Sequence, residues 1–143
     1  SAWIVSTDKD KILMTHHKEL GMWLQLGGHA DGENDLLKVA LREAKEESGI
    51  QYFNILSDEI FDLDIHEIPK QMNQPSHKHY DIRFLLETDP ASNKITISDE
   101  SYDVAWIPID EVIELNPENS IQRMVEKTFV IKNLDSYSFK NQV

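Results

Sequence analysis

The sequence predicts an α/β domain in which a mixed β-sheet carries helices on its faces. Two observations lead to this fold class. Strand-like segments outnumber the two or three helical ones, and several of them follow one another through short turns, as in hairpins. The regular strand–helix alternation of a doubly wound parallel sheet is missing from the sequence. The chain of 143 residues has the size of one domain, so we expect a single domain over residues 1–143.

The first part of the chain is predicted to form three strands. Residues 2–6 and 11–16 are β-rich and flank a short polar turn, which predicts an antiparallel hairpin. Residues 23–26 form a third short strand. This strand ends at Gly27 and Gly28, where a turn-rich stretch begins.

The clearest helical pattern follows Asn34 and Asp35, either of which suits the N-cap position. Small and aliphatic side chains then recur at spacings of three and four residues, at Leu37, Ala40, Leu41, Ala44 and Ser48. This spacing predicts one narrow buried stripe along the helix. Gly49 follows the stripe and suits a C-terminal stop.

The rest of the chain is predicted to contain further short strands and two helices. The strands are expected at residues 52–56, 59–68, 78–87, 95–97 and 104–107. A brief helix is expected at residues 109–115 and a longer one at residues 120–131. The longer helix has an apolar face formed by Ile121, Met124, Val125 and Phe129.

The composition disfavours several classes of function. The formal net charge of −12 opposes broad contact with phosphate backbones, so we expect no binding to duplex nucleic acid. The apolar runs end well short of the roughly 20 residues that cross a bilayer, so we expect no membrane segment. The sequence has no recognisable signal peptide and no cysteine, which favours a cytoplasmic protein.

Three carboxylates share one face of the first predicted helix. Glu43, Glu46 and Glu47 are separated by three and four residues, so their side chains project to the same side. Their mutual repulsion, and their opposition to the helix dipole, each cost roughly 0.3–1 kcal/mol. Mg²⁺ or Mn²⁺ would reverse this cost, because both prefer oxygen ligands and leave positions for phosphate oxygens. Without further signals, an exposed acidic face with no role is the simpler interpretation.

The segment around this helix resembles the Nudix box. The pattern of the box is glycine, five residues, glutamate, seven residues, and then arginine, glutamate, aliphatic, any residue, two glutamates, any residue, glycine and aliphatic. The positions in register with it are Gly28, Arg42, Glu43, Glu46, Glu47, Gly49 and Ile50. So many identities rarely coincide by chance. The sequence departs from the pattern at Asn34, in place of the first glutamate, and at Ala44, in place of a larger aliphatic residue. Leu26 stands where many relatives have proline.

The resemblance to the Nudix (MutT-like) hydrolase family implies a Nudix-type α/β/α sandwich with a mixed β-sheet. It also implies hydrolysis of a diphosphate (pyrophosphate) linkage in a small molecule such as a nucleoside diphosphate derivative, with Mg²⁺ or Mn²⁺. The alternative is a noncatalytic nucleotide-binding regulatory module of the same fold, which the intact glutamates disfavour. A prenyl diphosphate isomerase of this fold is associated with a catalytic cysteine, which this sequence lacks. Some relatives are dimers, so a homodimer is compatible with the resemblance, and the sequence does not decide it.

The resemblance also implies a role for each residue of the box. Glu46 and Glu47 are expected to be metal ligands, and Glu43 is either a third ligand or the base for the attacking water. The guanidinium of Arg42 stays protonated at neutral pH, so we expect it to orient a neighbouring carboxylate.

Three residues near the box or beyond it are further candidates. Gly27 and Gly28 permit close backbone approach and unusual dihedral angles, so that a carbonyl there can complete a metal shell. Gly28 is also a candidate substrate contact. Without the motif, an ordinary tight turn would explain Gly27 and Gly28 equally well. Glu100, which precedes Trp106 by six residues, resembles the late acidic metal ligand of some relatives. A surface turn is the competing interpretation of Glu100.

The strand predicted at residues 78–87 has two different faces. Strand alternation puts Tyr80, Ile82, Phe84 and Leu86 on a core face. It puts His77, His79, Asp81 and Arg83 on a polar face. If the preceding strand pairs across the proline-containing loop, His66 approaches His79 and Asp62 forms an ion pair with Arg83.

His79 and Arg83 are therefore candidate contacts for a phosphate or a ribose of the substrate, and a solvated sheet face is the equal alternative. The paired histidines also suggest zinc, but hydrolysis by zinc would need a fuller ligand set. We therefore do not expect a zinc site.

Overall fold

The computed structural model describes residues 1–18, 20–96 and 103–141, with side chains in the last helix described as far as Asp135. A central strand, β1 (Ala2–Ser6), organises the sheet. It pairs antiparallel with β2 (Lys11–His17) and parallel with β6 (His77–Thr88), so the sheet is mixed, as predicted. β2 also pairs antiparallel with β3 (Met22–Leu24) and β7 (Asp103–Pro108).

The second half of the sheet is built on β6, the longest strand. The end of β6 pairs with the two-residue β4 (Asn54–Ile55), and its first half pairs antiparallel with β5 (Asp62–Ile68). In the register of the β5–β6 pair, His66 lies opposite His79 and Asp62 opposite Arg83, as predicted.

Three helices cover the sheet. They are α1 (Leu36–Ser48), α2 (Ile109–Leu115) and α3 (Asn119–Asn141). Within the described ranges no helix is long and apolar enough to cross a membrane.

The core has two layers, one on each face of the sheet. All five residues of β1 are buried, and they alternate between the layers. Ala2 and Ile4 pack with Ala40 and Ala44 of α1. On the other face, Trp3 and Val5 pack with residues of α2 and α3 that include Val112, Ile121 and Met124. A strand that is buried on both faces is typical of a sheet between two helical layers, which confirms the α/β/α sandwich.

Two predicted core positions are wrong. Tyr80 is 64% exposed, because Ile82 is the first residue along β6 that packs against the buried cluster beneath α1. Phe129 is 41% exposed, and Thr128 takes its place on the buried face of α3. The Thr128 hydroxyl donates to the Met124 carbonyl at 2.7 Å and accepts a hydrogen bond from Trp3 Nε1 at 2.9 Å. A polar side chain is tolerated there because its hydrogen bonds are satisfied inside the core.

Three strand predictions need correction. The strand predicted at residues 52–56 is reduced to Asn54–Ile55, and the one predicted from residue 59 begins at Asp62. Residues 95 and 96 are not in a strand, although Thr96 N–H donates to the Ser48 carbonyl at 2.8 Å. Residue 97 lies outside the described residues.

Candidate active site

The two ends of helix α1 fix the positions of the predicted glutamates. The Asp35 side chain accepts a hydrogen bond from Lys38 N–H at 3.2 Å, so Asp35 is the N-cap. At the other end, Gly49 has a φ of 73°, and its N–H donates to the Lys45 carbonyl at 2.9 Å. Ala40, Ala44 and Ser48 are buried against the sheet, whereas Glu46 is exposed and Glu43 and Glu47 are half-buried.

The Glu43 carboxylate lies against the backbone of Gly28. A Cβ atom added to Gly28 would stand 2.6 Å from Cδ of Glu43, which is closer than real Cβ contacts allow. Neither Gly27 nor Gly28 has a positive φ, so these glycines are needed for close approach and not for unusual dihedral angles. Arg42 Nη2 lies 3.7 Å from Glu43 Oε1, a separation that fits the orienting role expected of Arg42.

Glu47 is the glutamate whose environment is most perturbed. Its pKa is raised to about 7, first by burial and then by the charges of Glu43 and Glu46, and a hydrogen bond from the Gly27 backbone opposes this rise. Its Oε2 atom is buried without a hydrogen-bond partner among the described residues. A buried carboxylate oxygen without a donor is costly, and a bound cation would remove that cost. The unpartnered Oε2 of Glu47 is therefore the kind of oxygen ligand that a divalent metal ion takes.

The remaining predicted metal ligands are placed differently. Glu46 is exposed on α1. Gly27 acts on Glu47 through its N–H group, and not through the carbonyl that was considered as a ligand. Glu100 lies outside the described residues. No three histidine or acidic side chains of the described chain are gathered closely enough to hold a metal ion, as expected when like-charged carboxylates repel.

A cavity of about 450 Å³ lies next to the Glu43 carboxylate, because Gly28 lines the cavity and also packs against that carboxylate. Its polar wall includes His29, His66, Lys78 and His79. Leu36, Val39 and Ile82 supply apolar surface. This mixture of apolar surface with a few polar groups is typical of small-molecule sites, and it brings predicted residues Gly28 and His79 together.

His79 stands at the centre of a group of imidazole rings. Its centroid is 5.6 Å from that of His29, 5.5 Å from that of His66 and 5.1 Å from that of His77. Burial lowers the pKa of His79, and the neighbouring imidazoles lower it further. His29 was missed in the sequence because it stands in an aperiodic turn, and only its position directly after Gly28 hinted at it.

Arg83 is buried in an ion-pair network and does not line this cavity, although its partner Asp81 does. Its Nη1 donates to Asp62 Oδ2 at 3.2 Å and its Nε to Asp81 Oδ2 at 3.0 Å, and its side chain is 4% exposed. Asp62 also accepts hydrogen bonds from Arg123 and Lys127 of α3. The predicted ion pair with Asp62 is confirmed, and it occupies the donors that a substrate would need.

A NUDIX domain family model matches residues 1–128, which is most of the chain. The chain therefore belongs to the Nudix family.

Curated proteins are similar in sequence to part of this chain. It is 30% identical over 83 residues to a Lactococcus lactis protein named "Probable DHNTP pyrophosphohydrolase", covering 57% of this chain and 49% of the relative. It is 32% identical over 94 residues to the asymmetrical bis(5'-nucleosyl)-tetraphosphatase of Mus musculus, covering 65% of this chain and 60% of the relative. The matches thus span about half to three fifths of the relatives' length.

Solved structures of the family share the fold over almost the whole chain. A NUDIX family hydrolase from Clostridium perfringens has a TM-score of 0.69 at 22% identity, covering 92% of this chain and 95% of the other. The dihydroneopterin triphosphate pyrophosphohydrolase of E. coli has a TM-score of 0.68 at 17% identity, covering 88% and 90%. At such identities the likeness concerns the fold.

Proposed function

We propose that this protein hydrolyses a diphosphate linkage in a small molecule, with Mg²⁺ or Mn²⁺ held by Glu46 and Glu47 and with Glu43 as a third ligand or as the base. The observation that carries this proposal is the buried, unpartnered Oε2 of Glu47, whose carboxylate accepts a hydrogen bond from the backbone of Gly27, a residue of the cavity wall. A purely structural acidic face would leave its carboxylates in solvent, where they need no partner. Membership of the Nudix family supports the same conclusion.

The residues of the site divide the chemistry among them. Divalent ions neutralise phosphate oxygens and lower the pKa of water. Glu46 and Glu47 would hold the metal. Glu43, fixed between Gly28 and Arg42, would be a third ligand or the base that takes a proton from the attacking water. Addition of this water across a phosphorus–oxygen bond gives two phosphate-bearing products.

The substrate is proposed to be a nucleoside diphosphate derivative or a related small molecule. The two curated relatives are named for the hydrolysis of linked phosphates, one of DHNTP and one of a bis-nucleosyl tetraphosphate. A cavity of about 450 Å³ lies within the range of about 300–1,000 Å³ that is usual for small-molecule sites. Its aromatic and apolar surfaces suit the organic part of such a compound.

The proposal is tested by assaying phosphate products from a panel of nucleoside polyphosphates with Mg²⁺ or Mn²⁺, and again in excess chelator. We expect turnover of at least one compound with metal, and none in chelator, because without a metal ion nothing neutralises the phosphate oxygens or lowers the pKa of the attacking water. Full turnover in excess chelator would contradict metal dependence. Nucleotide binding without hydrolysis of any compound would instead support a noncatalytic binding module.

A further inference from the structure

Four of the chain's six histidines are gathered at one end of the cavity. They come from three separate segments: His29 follows Gly28, His66 is in β5, and His77 and His79 are in β6. The ring centroids of the other three lie 5.1–5.6 Å from that of His79. Since the segments are distant in sequence, this histidine cluster is a product of the fold.

The hydrogen bonds of the cluster separate two kinds of imidazole. His66 Nδ1 lies 3.4 Å from an Asp64 carboxylate oxygen, and His77 Nδ1 lies 3.1 Å from the Pro75 carbonyl oxygen. The rings of His29 and His79 make no hydrogen bond within the described chain. Each of these two rings therefore has an N–H group to offer to a ligand in either neutral tautomer.

The geometry favours a polyatomic anion over a bare metal ion. Among the described residues, no three histidine or acidic groups approach one another closely enough to hold a metal. Separate N–H donors around a wider opening suit a ligand with several acceptor oxygens. The exposed Lys78 also lines the cavity, from the face of β6 opposite to His79, and adds a positive charge in a protein whose formal net charge is −12.

We propose that His29, His79 and Lys78 form a subsite for a phosphate group of the substrate that lies beyond the hydrolysed linkage. His66 and His77 pack against the His79 ring and hold it in place. The subsite adjoins the glutamates because Gly28, which precedes His29, contacts the Glu43 carboxylate. The inference rests on the proposed function, and it defines the substrate class as compounds with at least three linked phosphates.

The test measures binding of inorganic tripolyphosphate to metal-free protein by calorimetry. Phenylalanine keeps a flat ring but lacks the N–H group, so His29→Phe and His79→Phe should each weaken binding at least about tenfold. His17→Phe, at the exposed end of β2, is the matched control and should bind as the wild type does. Equal affinity in all four proteins would overturn the subsite. Tight binding of Zn²⁺ that His79→Phe abolishes, without binding of tripolyphosphate, would overturn it in favour of a metal site.

A second measurement needs no substitution, so it holds even if a variant fails to fold. In the wild type, tripolyphosphate should shift the imidazole NMR signals of His29 and His79 and leave that of His17 unchanged. Unchanged signals from the two cavity histidines would overturn the proposal.

Turnover separates this inference from the proposed function. With metal, the wild type should have a higher kcat/KM for a nucleoside triphosphate than for the matching diphosphate, and His79→Phe should reduce that preference at least about tenfold. Metal-dependent hydrolysis without this preference, and without tripolyphosphate binding, would overturn the subsite and leave the proposed function standing. If tripolyphosphate binds as predicted but no compound is hydrolysed, the result would support the subsite as an anion site and contradict the proposed function.

Discussion

At the residue scale, Gly28 is the position where the box and the cavity meet. Its missing side chain lets the Glu43 carboxylate lie against the backbone, and the same residue lines the cavity. The sequence predicted close backbone approach at Gly28. It did not indicate which side chain would use that space, because Glu43 is 15 residues further along and only the tertiary fold joins the two.

Gly28→Ala should lower kcat/KM at least about tenfold, because the new Cβ would stand 2.6 Å from Cδ of Glu43 and displace that carboxylate. The free energy of unfolding should change little, since the atoms that the new Cβ meets are the far end of the flexible Glu43 side chain. The measurement is a double-mutant cycle with Glu43→Gln. If Gly28→Ala acts through Glu43, it should add little to the loss already caused by Glu43→Gln. Full additivity of the two losses would show that Gly28 acts by another route.

At the element scale, a buried ion-pair network joins β5, β6 and α3. Asp62 is 3% exposed and accepts hydrogen bonds from Arg83 of β6 and from Arg123 and Lys127 of α3. Burial by itself raises the pKa of Asp62, but the hydrogen bonds from Arg123 and Lys127 outweigh it and lower that pKa to about 2. The carboxylate thus compensates three cationic groups where the sheet meets α3.

Asp62→Asn should lower the free energy of unfolding by up to about 3–5 kcal/mol, because it removes one of the carboxylate partners of the buried Arg83. The matched control is Asp10→Asn, which removes an exposed ion pair with Lys132 and should cost at most about 1 kcal/mol. Urea unfolding of the three proteins at pH 7 measures both differences. Equal small losses in the two variants would contradict a stabilising role for the network.

The same network predicts how stability depends on pH. The pKa of Asp62 is lower in the folded protein than its ordinary value of 3.8, so its contribution is fully present above that value. The contribution should be lost as the pH falls through 3.8 towards about 2. In urea unfolding between pH 5 and pH 2, the wild type should therefore lose more stability than Asp62→Asn. Parallel pH profiles would contradict the lowered pKa.

Regular elements were predicted well where periodicity and capping agree. The predicted brief helix coincides with α2, and Asp35, one of the two expected N-caps, begins α1. The β5–β6 register was also correct. Alternation alone could not show where the core ends along β6, so Tyr80 was placed wrongly.

At the scale of the whole molecule, the fold brings residues from distant segments to one cavity beside α1. Local pattern identified the glutamate helix, because the box lies within 23 consecutive residues. It could not identify His29 as a partner of His79, since that contact depends on where the loop after Gly28 lies relative to β6. It also could not show that α3 supplies Arg123 and Lys127 to the acidic network around Arg83.

The central claim is that Glu47 is a metal ligand, and Glu47→Gln tests it most directly. Glutamine keeps the size and helix preference of glutamate but removes its charge, so turnover should fall by orders of magnitude. The metal-free free energy of unfolding should stay the same or rise by a few tenths of a kcal/mol, because repulsion from Glu43 and Glu46 is relieved. Glu126→Gln, at an exposed position of α3, is the matched control and should change neither quantity.

The measurement is turnover and Mg²⁺ or Mn²⁺ affinity, taken together with metal-free urea unfolding, for the wild type and both variants. The account predicts that Glu47→Gln loses turnover and metal affinity while its metal-free stability is retained or increased. Preserved turnover with unchanged metal affinity would contradict the claim, and so would a loss of turnover that merely follows unfolding.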